Sequence, residues 1–508
     1  MAGAEFDYIV IGAGSSGAVI AARLSEDPAV SVLLLESGPR DRHPLQLMPL
    51  AFPRLALGRY GTWQFQSEPE PGLDGRRLVM PRGRTLGGTS SINAMIAIRG
   101  NRQDYDAWAL QDLPGWSYDA VLPYFKRLEA SCHGAGDYHG AVGPVGICQM
   151  QGADLLFDPL VKAAAAAGVP FNDDPNGAVQ DGISRMESTI AGGRRASTAR
   201  AYLYPAMQRE NLTVATSAHV RRIVIERGRA VGVEMVRGKS VRARNEVVLS
   251  GGAYSSPQVL MLSGIGPADE LRKMGIDPVH DLPGVGQNLA DHVNLINEYE
   301  LREDAGLTQH LRADRAALAA ARWYARGDGP FAFTGTCANV FVRSLEGLEG
   351  PDVQMMCLPI SGDARAWLPG LQRRPPSSLS VRTGFLHPQS RGWVGLRSVD
   401  PLDPPRIQTN LLTEPDDMDG MIRALELSRQ IYSQSPLREM IRHETYPGAE
   451  VCSRAELKAY IRANAGLRSH PVGTCRMGTD RAAVVDADLK VCGIDGLRVA
   501  DASVMPSL

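Results

Sequence analysis

Gly12, Gly14 and Gly17 stand in the spacing G-x-G-x-x-G. That triplet suits a diphosphate. Gly12 permits a tight turn, Gly14 lets phosphate meet bare backbone, and Gly17 lets a helix pack closely on a strand. Free N–H groups and the positive dipole at the helix start attract the anion. Glu36 follows roughly 20 residues later, where a carboxylate accepts hydrogen bonds from two ribose hydroxyls and repels a 2′-phosphate. These residues predict a dinucleotide site, with FAD and NAD both open at this point. Ten histidines could move protons near neutral pH. Seven cysteines include no C-x-x-C pair, so neither a zinc ribbon nor a thioredoxin-like motif is expected. Asp173-Asp174 and Asp416-Asp417 lack metal-like partners and read as solvated turns. We expect no metal site.

The elements that must position these residues begin at once. Tyr8 to Ile11 is an apolar run fit for a buried parallel strand. A helix follows from about Ser16 to Leu24, and a second strand from Ser31 to Leu35 ends at Glu36. Residues 39–82, rich in Pro and Arg, read as loop. Val214 to Glu226 and Ala230 to Val236 read as strands of a meander, and Glu246 to Leu249 as a short strand entering Gly251-Gly252. From about 305 to 450 the pattern changes to one helix, Ala313 to Arg326, and strand-like runs at 338–343, 353–358, 379–386 and 393–397. That predicts a second domain on a mostly antiparallel sheet.

Composition narrows the class. The chain has 508 residues, 44% of them hydrophobic and 22% charged, enough for a sizeable core and unlike a disordered chain. A formal charge of −2 lacks the basic footprint of a nucleic-acid binder. The N-terminus has neither a basic n-region nor a long apolar h-region, so no secretory signal is expected. With the scattered reduced thiols, this predicts a cytoplasmic protein. The uncharged stretch 247–268 is broken by Gly, Pro and Ser and is rejected as a membrane span; attachment to a membrane surface is left open.

Two longer segments carry a resemblance. Gly83-Arg-Thr-Leu-Gly-Gly-Thr-Ser-Ser-Ile-Asn93, continuing through Arg99-Gly100 to Asp106, resembles the first signature of the glucose–methanol–choline oxidoreductases. Gly252-Ala-Tyr-Ser-Ser-Pro257 through Gly266 resembles the second. The similarity runs on through 283–289 and 469–478 to Val499-Ala-Asp501-Ala-Ser503, and is strongest to the bacterial choline, aliphatic-alcohol or polyethylene-glycol dehydrogenase branch. It implies a Rossmann-like FAD-binding domain (1–155, 190–305 and 451–508) with a mostly antiparallel-sheet substrate domain (156–189 and 306–450), an α/β plus α+β architecture. It implies FAD, contacted through Gly12, Gly14, Gly17, Glu36, Gly88, Ser91, Asn93, Ala94, Met95, Ile96, Val220, Asp501 and Ala502; Arg84, with Arg82, reads either as a partner of the phosphates or as a solvated salt bridge. Some relatives bond their flavin to a His just before the matching Asn; here Ile92 stands there, so non-covalent FAD is expected.

The resemblance also singles out His470, in Ser-His-Pro-Val-Gly-Thr-Cys-Arg-Met-Gly, as the catalytic base. Oxidising an alcohol removes a hydride from carbon and a proton from oxygen, and an imidazole suits the proton. Expected is oxidation of a primary alcohol to an aldehyde, with electrons passed to a quinone or other carrier; the alternative is an oxidase using oxygen and making hydrogen peroxide. Phe331, Phe333, Phe341, Met355, Met356, Trp367, Leu368 and Phe385 suggest an apolar or aromatic alcohol, or else simply the core of the second sheet. His292 is given a supporting role. The family's second catalytic residue, an Asn or His, follows the Asp-Ala-Ser segment. The sequence ends at Leu508 before it, so an incomplete record, or a flavin-binding protein with impaired catalysis, is also expected.

Overall fold

A computed structural model describes residues 5–149, 156–362 and 364–508. Strand β1 (Glu5–Ile11) buries Ile9 and Val10 completely. It pairs in parallel with β2 (Val32–Leu35), which is buried throughout, and with Ser240–Leu249. Burial on both faces explains the unbroken apolar runs. Between them runs α1 (Ser15–Leu24), whose buried Gly17, Ala18, Ala21 and Ala22 let it lie close to the sheet. Across the sheet the order is Leu212–Ala215, β2, β1, Ser240–Leu249, Arg229–Met235, Val220–Glu226. Leu497–Val499 joins in parallel beside Ser240–Leu249. Residues some 490 positions apart in the chain thus share one sheet, as the Rossmann-like expectation requires.

Three sequence expectations change here. Val214 to Glu226 is two strands on opposite edges of this sheet, because Ser217 turns the chain with φ of 53°. The strand read as Glu246 to Leu249 begins already at Ser240, its alternating first half forming the meander edge. Within 39–82, Thr62–Gln66 and Val79–Gly83 form an antiparallel hairpin rather than loop.

The second sheet is antiparallel throughout. Its order is Ile441–Tyr446, Val293–Leu301, Ser378–Phe385, Val353–Leu358, Ala338–Val342, Gly182–Arg185. Side chains alternate between its faces. Ile183, Val340, Met355, Val381 and Tyr299 lie on one face, against helices Phe157–Ala166 and Pro415–Tyr432. Asn294, Gln354, Met356, Asn339 and Arg382 lie on the other. The helix Pro415–Tyr432 was not expected from sequence. Asp417 in it is fully buried and accepts N–H bonds from Gln389 and Ser390, so the pair Asp416-Asp417 is not a solvated turn.

Val293–Leu301, assigned above to the FAD-binding segment 190–305, is a central strand of this second sheet. Helix Arg454–Asn464 packs its Leu457 and Ile461 in the same core as Met418 and Met421, and Gly466–Leu467 pairs with Val293 and Asn294. The boundaries at 305/306 and 450/451 therefore cut through the second sheet and its cover. No composition change marks either junction, because both flanks are ordinary buried elements. Among the described residues no helix is long and apolar enough to cross a membrane.

Candidate active site: a glycine-lined trough ending at His470

The turn after β1 explains the glycine triplet atom by atom. Gly12 has φ of 94°, and a Cβ there would lie 2.4 Å from the Ser250 carbonyl oxygen. A Cβ on Gly17 would lie 1.9 Å from the Gly12 oxygen. Gly14 differs: the nearest atom to its Cβ position is 4.0 Å away, so its bare Cα faces open space. Gly88 packs against Gly14, where a Cβ would come within 2.6 Å of the Gly14 Cα.

Two chambers of about 810 and 1380 Å³, both partly open to solvent, share Gly14, Gly83, Gly88, Ser250, Gly251 and Ser255 as a common wall. They make one trough. Glu36, Ala218, His219 and Val220 line its first end; Tyr105, Trp108, His470, Asp501 and Ala502 line the other. This shape fits FAD. The glycine crossing suits the diphosphate, and the His219 Nδ1 atom, buried without a partner, marks an unused polar group at the end suited to adenosine.

Glu36 is buried at the end of β2, and its carboxylate accepts the N–H groups of Ala13 (3.0 Å) and Gly38 (2.8 Å). Burial pushes its pKa up to about 7. Arg84 does not reach the crossing; its guanidinium stacks 4.2 Å over the Trp63 ring, near the Glu36 end. Ser91 is buried and donates to the Leu86 carbonyl (2.7 Å), closing the turn rather than lining the trough. Asn93 is exposed, its Oδ1 held by buried Arg195 (2.7 Å). Ala94 follows, half-buried, and Met95 is buried in the left-handed region with φ of 59°. Ile96 bridges to Ser188. Asp501 ties two segments together: its Oδ2 accepts from Gly252 N–H (2.8 Å) and Ser256 Oγ (2.6 Å).

His470 faces the trough. The preceding Ser469 is left-handed with φ of 67°, a conformation sparsely populated for a residue with a side chain and worth about 1–3 kcal/mol of strain. Arg82 holds the Ser469 carbonyl (2.8 Å), and Asp291 Oδ1 accepts the His470 N–H (2.9 Å). The imidazole opens onto the chamber but lies deep in the molecule. Burial, then the charges of Arg468 and Arg82, push its pKa down to about 4. Its ring meets His292 edge-on at 5.4 Å. His292 Nδ1 bonds the Leu386 carbonyl (2.7 Å), and burial holds its pKa well below the usual value. Both rings are therefore neutral at pH 7. Burial raises Asp291 to about 7.

Sequence missed several lining residues. Trp63 and Phe65 come from the hairpin read as loop, though T-W-Q-F-Q alternates with strand period. Two residues that support the site without lining either chamber, Arg195 on Asn93 and Arg468 near His470, carried no motif. Of the apolar side chains named for substrate, Met355 and Phe385 face the helices instead, because they alternate onto the core side of their strands.

Away from the trough, distant residues converge in a way their spacing hides. Cys132, His133 and Glu187 bring ligand-type atoms within 4.8 Å of one another, as do His133, His139 and Asp174. His139 bonds Glu129 (2.8 Å) and Asp174 (3.0 Å), and His133 bonds Glu187 (2.5 Å). Asp174 is thus an ion-pair partner, not a solvated turn.

The GMC oxidoreductase family models match residues 6–294 and 388–508. An oxygen-dependent choline dehydrogenase of Photobacterium profundum is 41% identical, covering 99% of this chain and 89% of its own. The mitochondrial choline dehydrogenase of Homo sapiens is 41% identical over 99% of this chain and 86% of its own. The crystal structure of pyridoxine 4-oxidase from Mesorbium loti superposes with a TM-score of 0.88 at 32% identity, covering 99% of this chain and 95% of its own. Matched along nearly its whole length and folded around a trough shaped for FAD, the chain belongs to the GMC oxidoreductase family and is an FAD-dependent alcohol oxidoreductase.

Proposed function

We propose that this chain oxidises a primary alcohol to an aldehyde, with His470 taking the hydroxyl proton and FAD held without a covalent bond. The supporting observation is a neutral imidazole at the end of a glycine-lined trough. A base acts only when unprotonated and within hydrogen-bond reach. A pKa near 4 keeps His470 available at neutral pH. Arg82 and Arg468 beside it favour the negative charge that develops on the alcohol oxygen. Asp291 and the strained Ser469 fix the backbone, so the ring does not have to be oriented anew for each substrate. Bound FAD supplies the hydride acceptor. Ile92, buried beside Asn93, offers no atom for a covalent link to it.

The acceptor of the electrons is a quinone or another carrier. A second reading, oxygen with release of hydrogen peroxide, is favoured by the names of the relatives, an oxygen-dependent choline dehydrogenase and a pyridoxine oxidase. Mixing the holoenzyme with a panel of primary alcohols without oxygen tests the first step. Bleaching of the flavin bands supports alcohol oxidation, and no bleaching by any alcohol refutes it. Admitting air and measuring peroxide then separates the two acceptors.

A further inference from the structure

We propose that the alcohol oxidised here carries a carboxylate, held by the guanidinium of Arg382 with Arg468 beside it. This rests on the alcohol-oxidation reading and names the substrate class for that site. The placement follows from strand alternation. A Cβ on Gly384 would lie 2.1 Å from Arg468 Nε, so the Arg468 guanidinium covers the Gly384 face of the Ser378–Phe385 strand. Arg382 stands two residues earlier and projects to the same face. Met356 is its register partner on the next strand and joins Ile96 in the apolar cluster around Met186, Leu307 and Phe333. Arg382 thus shares a face with Arg468, which stands two residues before His470 and bonds the Arg382 carbonyl, and is paired in register with Met356, whose cluster also takes in Ile96 from the segment that the family places along the flavin.

The two guanidiniums are bonded very differently. Arg468 is anchored to three uncharged acceptors: the carbonyls of Gln354 (2.7 Å) and Arg382 (2.9 Å), and the Gln354 side chain. Its charge is left unpaired. Arg382 is more than half covered, yet among the described residues its guanidinium forms no hydrogen bond, ion pair or ring stack. None of its nitrogens is sealed from open space, unlike Nε of Arg468. Two carboxylates face this side. Asp291 accepts the His470 N–H at Oδ1 and has its Oδ2 buried without a partner, and Glu298 accepts from Ser380 Oγ (2.8 Å) and Gly362 N–H (3.2 Å). Neither forms an ion pair with Arg382 or Arg468.

Unpaired buried charge is costly, and a folded protein retains it where a ligand completes the pair. A guanidinium fork matches a carboxylate in two parallel bonds. A quaternary ammonium alcohol such as choline would instead meet two like charges.

The test compares 4-(hydroxymethyl)benzoate, its methyl ester and choline as reductants of the holoenzyme. The carboxylate is expected to exceed the ester in kcat/KM by roughly 10- to 100-fold, the range of a charge-assisted hydrogen bond. Arg382→Met is expected to abolish that ratio, and Arg382→Lys to keep part of it. Calorimetry of the wild-type holoenzyme should show benzoate binding well above benzamide. An ester or choline preference, or equal binding of benzoate and benzamide, would overturn the proposal. So would an Arg382→Met variant that slows acid and ester alike, since Arg382 would then act on the flavin or the fold. If no alcohol bleaches the flavin, the oxidation reading fails, and the calorimetry still decides this one.

Discussion

His470, open to the trough, and Glu36, buried at the end of β2, are both ionisable groups pushed toward neutrality, but with opposite consequences. For His470 the neutral form is the useful one, because only it accepts a proton. Its pKa of about 4 predicts that the rate of flavin reduction by alcohol stays flat from pH 8 down to about 5.5 and falls only as pH approaches 4. Stopped-flow bleaching across that range measures it, and an acid limb near 6.5 would show an unperturbed imidazole. His470→Ala is expected to retain flavin and lose roughly 10²- to 10⁴-fold in reduction rate, the usual span for a general base. Apoprotein from that variant would make the residue structural. For Glu36 the useful form is the acceptor. Its oxygens already bind two backbone N–H groups, so it also shapes the turn that meets the diphosphate. Glu36→Ala should weaken FAD binding by roughly tenfold or more, since a hydrogen bond to a charged group contributes about 1.5–3 kcal/mol. Unchanged affinity in a flavin titration would remove Glu36 from the cofactor site.

Elements place these residues, and their legibility in sequence depended on how local the cause is. The β1–α1–β2 unit was readable because its strand, turn, helix and strand follow one another within about 30 residues, and its glycines leave a fixed spacing. The C-terminal end of helix Ala313–Arg326 was readable because Gly327, with φ of 70°, stops it. Helix Pro415–Tyr432 was not, because its acidic first turn masks a face buried only by a distant sheet. Strand Val293–Leu301 was assigned to the wrong half for the same reason: pairing partners near 380 and 444 decide its sheet, and neither is near it in sequence. At the site, motif residues such as Gly88 and Asp501 were found by their segments, while Arg195, Arg382 and Arg468 sit in no motif and acquire meaning only in three dimensions. Ser91 was named for its motif, yet its hydroxyl is spent within the turn. The tightest local contact gives a direct test. Gly17→Ala puts a methyl 1.9 Å from a backbone oxygen, so its better helix propensity is outweighed by overpacking of about 1–3 kcal/mol. Urea denaturation should show that loss, and an unchanged midpoint would mean that α1 can move away from the turn.

Across the whole molecule, the second sheet carries a largely polar face, with Asn294, Gln354, Asn339 and Arg382 on it, and polar contacts help to join it to the first half. The join lies beside the 93–97 segment. Ala97 donates to the Glu187 carbonyl (2.9 Å), and Asn176 bonds both the Ala97 carbonyl (3.0 Å) and the Glu187 carboxylate (2.9 Å). Behind them stand Arg99, Glu129, His139 and Asp174. Arg99 bonds Glu129 (2.8 Å), and His139 bridges Glu129 and Asp174. Hydrogen bonds to Asp174 and Glu129 raise His139 to about 9. The ordinary imidazole value is about 6.5. A group whose folded pKa exceeds its unfolded one stabilises the fold fully below the lower value and loses that contribution as pH rises through the higher. The network should therefore hold the join below pH 6.5 and weaken steadily toward pH 9. Melting temperatures of the holoenzyme and of a His139→Gln variant test this together. The variant should melt well below the native protein at pH 6, and the gap should close as pH passes 9. A gap that stays constant would mean that His139 contributes packing alone, and that its charge does not hold the two sheets around the cofactor.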